Sequence, residues 1–147
     1  MNPPNLNIKA AKECLNVLTR TKPHLYENPR ELLPIWAEAL DPDLPTGTAH
    51  KLTVDAYGEG VEFISPADIN HRWRALKKQR LERNMEPPDP PYEIATNPNA
   101  YHEYLCTWRH LIATGIHPRD ATPAALSNAK QQALVNANQK LQIGTKK

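Results

Sequence analysis

Fifteen prolines against only five glycines, spread over 147 residues, limit what this chain can fold into more than any other feature. Proline lacks an amide hydrogen and holds φ near the helical value, so it suits the first turn of a helix and disrupts the turns after it. Several of these prolines follow a helix-capping residue, as in Asn28-Pro29, Ser65-Pro66, Asn97-Pro98 and Thr122-Pro123. Such pairs mark helix starts. The pattern predicts an all-α protein cut into short helices, not a collagen-like or wholly disordered chain.

Apolar spacing supplies the helix faces. Ile8, Ala11, Leu15 and Leu18 recur at helical intervals, with Asn5 or Asn7 available as the cap and Pro23 as the stop. After Asn28-Pro29, Leu32, Trp36, Ala39 and Leu40 share a face. Pro34 conflicts with a continuous helix there, so a kink or a later start near Pro34 is expected. A third helix, capped by Thr46 or Thr48, buries Ala49, Leu52, Thr53 and Ala56 and stops at Gly58. "GEGVEFI" alternates enough to suggest a short extended segment around Val61 and Phe63.

Ser65-Pro66-Ala67-Asp68 opens a fourth helix with a cap, a proline at its first position and an acid in its first turn. Its stripe begins with Ile69, Trp73 and Leu76 and would continue through Arg80 and Arg83. Residues 65–83 hold six Lys/Arg against two Asp/Glu, whereas residues 1–64 hold six against nine. An arginine on an inner seam needs a partner, because burying an unpaired charge costs several kcal/mol. The expectation is that the helix leaves its core near Leu76 and projects its last two turns. Arg72, Arg74, Lys77, Lys78, Arg80 and Arg83 then form a basic surface for DNA or an acidic partner, or a solvated face with snorkelling stems.

Met85 to Pro98 contains five prolines and is predicted to be an extended, semi-rigid linker, with Leu81 and Met85 placed to anchor it or a partner. Asn97-Pro98 then opens the cleanest amphipathic pattern in the chain: Tyr101, Tyr104, Leu105, Trp108, Leu111 and Ile112, ending at Gly115. Aromatic residues so arranged have the composition of a protein-partner anchor. They could equally be covered by residues 8–83 or by a second copy of the chain. Thr122-Pro123 opens the last helix, whose stripe of Leu126, Ala129, Ala133, Ala137 and Leu141 is mostly methyl groups and is expected to pack weakly unless a partner covers it. The predicted organisation is a four-helix domain over residues 1–84 ending in a long basic helix, a linker over 85–97, and a helical arm over 98–147.

Catalytic motifs are missing from the sequence: there is no phosphate-binding glycine loop, nucleophile elbow or zinc-protease helix. His102, Cys106 and His110 share a helical face but offer three ligands only, and Cys106 is expected to be a packed small residue, as is Cys14. No cofactor, metal site or catalytic residue is expected. Without an apolar run of membrane-spanning length or a hydrophobic leader, the expected compartment is a reducing cytoplasm.

A helix, then Trp36, Ala39 and Leu40, then an alanine-bearing helix ending in Tyr57, then "FISPADI" (Phe63 to Ile69) leading into a basic helix: this order over residues 8–83 resembles the small helical domain of phage replicative-helicase loaders or inhibitors. It is also similar to related short proteins of phages of Gram-positive hosts, especially actinobacteria. The resemblance implies a non-catalytic adaptor that brings a hexameric replicative helicase to an origin-bound initiator, with a folded helical domain joined to a more flexible C-terminal region. Trp36, Ala39, Leu40, Tyr57, Phe63, Pro66 and Ile69 would be scaffold. Alternatives are a small DNA-binding protein that uses the basic helix, and a virion or assembly component.

Overall fold

The computed structural model describes residues 6–84 and 86–145, with side chains described to residue 138 in the last helix. Met85 and the side chain of Leu141 therefore lie outside the described residues. Among those described the chain is all-α: α1 (Ile8–Thr21), α2 (Pro29–Ala39), α3 (Thr46–Gly58), α4 (Pro66–Arg83), α5 (Tyr92–Ala95), α6 (Pro98–Ala113) and α7 (Pro118–Thr145). They form two compact units, Met1–Leu76 and Lys77–Lys147. The boundary falls inside α4, earlier than the break after residue 84 that the sequence suggests.

In the first unit α1 packs on α2 and α3. Asn7 caps α1, its side-chain oxygen accepting from Ala10 N–H at 3.4 Å, while its amide donates to the carbonyls of Asp41 at 2.8 Å and Leu44 at 3.0 Å. One residue thus ends the loop after α2 and begins α1. Pro34 lies on the exposed side within α2, and the helix runs through it to Ala39. Trp36, Ala37 and Leu40 are buried and Leu33 packs beside them, so Ala39, expected in the core, sits outside. Ala49, Leu52, Thr53 and Ala56 are the buried face of α3, as their spacing predicts.

Residues 58–64 form no strand. A single extended segment has no neighbour with which to pair its backbone. Side chains satisfy it instead: Lys22 Nζ donates to the Val61 and Glu62 carbonyls. The Tyr26 hydroxyl donates to the Ile64 carbonyl at 2.6 Å and accepts from its N–H at 3.0 Å. Burial pushes the Tyr26 phenol above its ordinary pKa. Phe63 is exposed but stacks on Tyr26 with centroids 5.7 Å apart.

The start of α4 is a reciprocal cap. Ser65 N–H and Oγ each donate to Asp68 Oδ2 at 2.9 Å, and Asp68 N–H donates back to Ser65 Oγ at 3.3 Å. Ile69 and Trp73 are fully buried, Leu76 packs beside them, and Trp73 Nε1 donates to Asp43 at 3.0 Å.

The second unit is built on the α6–α7 hairpin. Asn97 caps α6 through a 3.2 Å bond from Ala100 N–H. Ala100, Tyr104, Trp108 and Ile112, spaced by four, are buried, as are Ala121, Ala125 and Ala129 of α7. Large side chains of α6 thus meet methyl groups of α7 in one cluster. The alanine-rich face has the cover it was expected to need: α6 supplies it, with Ala129 buried and Leu126 and Ala133 partly buried on the same cluster. Ala137, expected on the stripe, is exposed. α7 also begins at Pro118, not at Thr122-Pro123, with Pro123 inside it. Arg119 N–H donates to His117 Nδ1 at 3.1 Å at that start.

The proline segment is docked. Its short α5 buries Ile94 against α6 and α7, and the Tyr104 hydroxyl donates to the Pro88 carbonyl at 2.6 Å.

Candidate functional site

The distal half of α4 does not stand in solvent. Leu81 packs against the second core, and Arg80 Nη1 donates to the carbonyl of Ala113 at the end of α6, 2.9 Å away. Carbonyls at a helix C-terminus lack helical partners and carry partial negative charge, so a guanidinium there satisfies both. The projecting rod is therefore corrected, and Arg80 is a structural residue. Gly115 follows, at φ +103°, with the Arg80 guanidinium beside it.

The proximal basic residues are also engaged. Arg74 makes a two-pronged pair with Asp41, Nε to Oδ2 at 3.0 Å and Nη2 to Oδ1 at 2.8 Å. Arg72 pairs with Glu59, and that hydrogen bond holds the Glu59 carboxyl below the usual carboxylate range. Lys77 is half-buried and interacts within the protein. Lys78 and Arg83 are exposed and make no hydrogen bond or ion pair among the described residues.

The aromatic stripe is divided. Tyr104, Trp108 and Ile112 are at most 2% exposed and form the core of their own unit, so they are not available to a partner. Leu105 and Leu111 are half-buried on the same cluster, and Tyr101 alone of the six is exposed. The cover anticipated from residues 8–83 or a second copy comes instead from α5 and α7. Trp108 Nε1 donates to Thr122 Oγ1 at 3.2 Å, giving the threonine expected to cap a helix a different task.

Beside the exposed Tyr92, Tyr101 and Ile116, two further features of the second unit are turned outward. α7 has 28 residues and α6 only 16, so α7 outruns its hairpin partner by about 18 Å at about 1.5 Å per residue. Leu134 and Val135, at 65% and 48% exposure, begin this overhang. The other is the back of α6, where Cys106, expected to be packed, is an exposed free thiol beside the exposed His102.

Burial raises the pKa of the Cys14 thiol to about 11, and its Sγ accepts from Thr53 Oγ1 at 3.2 Å. Burial likewise raises the Tyr104 phenol. These shifts follow from packing and coincide with no cleft of convergent polar groups. The groove lined by His24, Leu25, Glu27, Glu31, Leu32 and Ile35 is shallow and lies on the first unit. Among the described residues no three His, Cys, Asp or Glu side chains converge as metal ligands, and no helix is long and apolar enough to cross a membrane.

No family model, curated protein or solved structure matches the chain.

Proposed function

We propose that this protein is a non-catalytic DNA-replication adaptor that binds a replicative helicase through the overhanging end of α7. The overhang carries the reading. A helix of about twelve residues is marginal in water without tertiary support, and this one leaves its hairpin carrying exposed Leu134 and Val135. Such a segment gains stability when a groove on another protein covers its apolar side. The order of helices and capping residues over 8–83, which resembles phage helicase loaders or inhibitors, is the reason for naming a replicative helicase as the partner.

The DNA-binding alternative loses weight because the pairs Arg72–Glu59 and Arg74–Asp41 already neutralise two of the six basic groups, and Arg80 serves α6. Charge neutralised within the chain releases few counterions from a phosphate backbone.

The test is co-purification of the full chain, and of a chain ending at Ala133, with the helicase of the cell in which it acts. The shortened chain keeps the buried Ala121, Ala125 and Ala129. It should retain Trp108 fluorescence and lose the helicase. Retention of the helicase by the folded, shortened chain overturns the assignment.

A further inference from the structure

On the first unit, the loop between α1 and α2 and the first two turns of α2 line a groove of about 390 Å³. Its floor is apolar: Leu25 comes from the loop, and Leu32 and Ile35 share a face of α2. Leu32 is half-buried on the first core. Ile35 is 63% exposed, the highest value for a large apolar side chain among the described residues of this unit. The walls are fixed from beneath. Tyr26, between Leu25 and Glu27, is buried, bonded to the Ile64 backbone and set edge-on to Trp36 with centroids 6.4 Å apart. The Asn28 carbonyl accepts from the N–H groups of Glu31 and Leu32, both at 3.1 Å, and so closes the first turn of α2. The groove is thus preformed, which lowers the ordering cost of docking.

Charge decides what the groove fits. Glu27 and Glu31 line it, both exposed, and neither carboxylate has a hydrogen bond or ion pair among the described residues. Arg30 follows in the same turn of α2 but lines a different hollow, with Lys12, Leu15 and Leu33. An uncharged apolar segment laid in the groove would strip water from two unpaired carboxylates, which is unfavourable. Phosphates of nucleic acid or of a lipid surface would be repelled by them. Lysine or arginine set beside leucine or isoleucine answers both the acids and the floor. Asn28 to Ile35 measures about 10 Å along the helix axis, room for two turns of a ligand helix.

We infer that this groove docks a short, basic, amphipathic helix of another protein, with apolar side chains on Leu25, Leu32 and Ile35 and cations on Glu27 and Glu31. The chain as a whole carries a net charge of +2 and offers a cationic segment no general attraction, so the attraction is local to these acids. The inference uses the first unit alone and stands whether or not α7 binds a helicase.

The experiment is fluorescence anisotropy of the full chain with a labelled helical peptide of about three turns, built from leucine, lysine and alanine with the leucines on one face. One control peptide carries glutamate for every lysine, and another spreads the same leucines around the helix. The lysine peptide should bind saturably and one-to-one, and both controls should bind at least about tenfold more weakly. Ile35→Ser should weaken the lysine peptide by about tenfold, as loss of a covered isoleucine implies. Glu27→Lys combined with Glu31→Lys should reject the lysine peptide and accept the glutamate peptide, an exchange of preference that damage to the fold cannot produce. All three positions are exposed, so the variants should keep the parent circular dichroism. Leu134→Ser, on the α7 overhang, should bind the lysine peptide as the parent does. No binding of the lysine peptide, equal binding of the glutamate peptide, an unchanged preference in the double variant, or loss of binding on Leu134→Ser would each overturn the assignment.

Discussion

Trp108→Ala tests whether the second unit has a core of its own. Trp108 is 1% exposed, and its indole N–H bonds Thr122. Truncating a buried tryptophan costs about 3–5 kcal/mol, including the lost transfer energy and the cavity left behind. A unit spanning Lys77–Lys147 has a total stability of about 4–10 kcal/mol at the usual value per residue. The substitution should therefore remove about half of this unit's stability and move its unfolding to much lower urea. The remaining tryptophans, Trp36 and Trp73, are buried in the first unit and report on it alone. In urea, circular dichroism should show an early helical loss followed by a second transition, while fluorescence keeps the parent midpoint. If fluorescence and circular dichroism instead shift together in one transition, the two clusters act as one core and the reasoning fails.

Two further outcomes follow from single contacts. A Cβ at Gly115 would lie 3.1 Å from Arg80 Nη1, at a backbone angle of +103°. Gly115→Ala should cost about 1–3 kcal/mol from that backbone conformation and the contact. Arg80→Ala should cost about 1–2 kcal/mol, and urea unfolding of the double variant should show less than the sum, because removing the guanidinium relieves the contact but not the φ strain. For Cys14, the folded pKa of about 11 lies above the ordinary value of 9.0, so the folded state holds its proton where the unfolded state releases it. Stability is full below pH 9 and declines between about pH 9 and 11 by at most about 2–3 kcal/mol. The wild-type advantage over Cys14→Ala in thermal melts should shrink across that window, and an unchanged difference refutes it.

Helix existence was readable because it rests on local chemistry. The Ser65–Asp68 cap, Asn7, Asn97 and the Ala49–Ala56 face depend on residues within a turn or two of one another, and all are realised. What escaped the sequence lies between elements. Tyr26 was not singled out, because its importance lies in holding the Ile64 backbone across a separation of 38 residues. The start of α7 was missed because Pro123 resembles a first-turn proline and so does Pro118, and only the hairpin decides between them. Linker composition misled for a related reason: proline disfavours continued helix but does not prevent docking, and Tyr104 and Ile94 anchor residues 86–97 through contacts no local pattern shows.

Arg80 and Arg83 carry the same lesson into function. The stripe of α4 does turn charged after Leu76, and that charge correctly marks where the first core ends. It does not follow that the helix must then enter solvent, since a guanidinium can be satisfied by the bare carbonyls ending another helix as well as by water or phosphate. Arg80 takes the first course at Ala113 and Arg83 remains outside. Arg72 and Arg74 are also paired with Glu59 and Asp41, so the six basic groups of α4 do not form one uniform unpaired face. With Tyr104, Trp108 and Ile112 internal as well, the search for a binding surface moves from the residues with the strongest patterns to those the two cores leave uncovered. On the second unit these include Tyr92, the far end of α7 and the back of α6, whose side chains are exposed because the α6–α7 core does not use them.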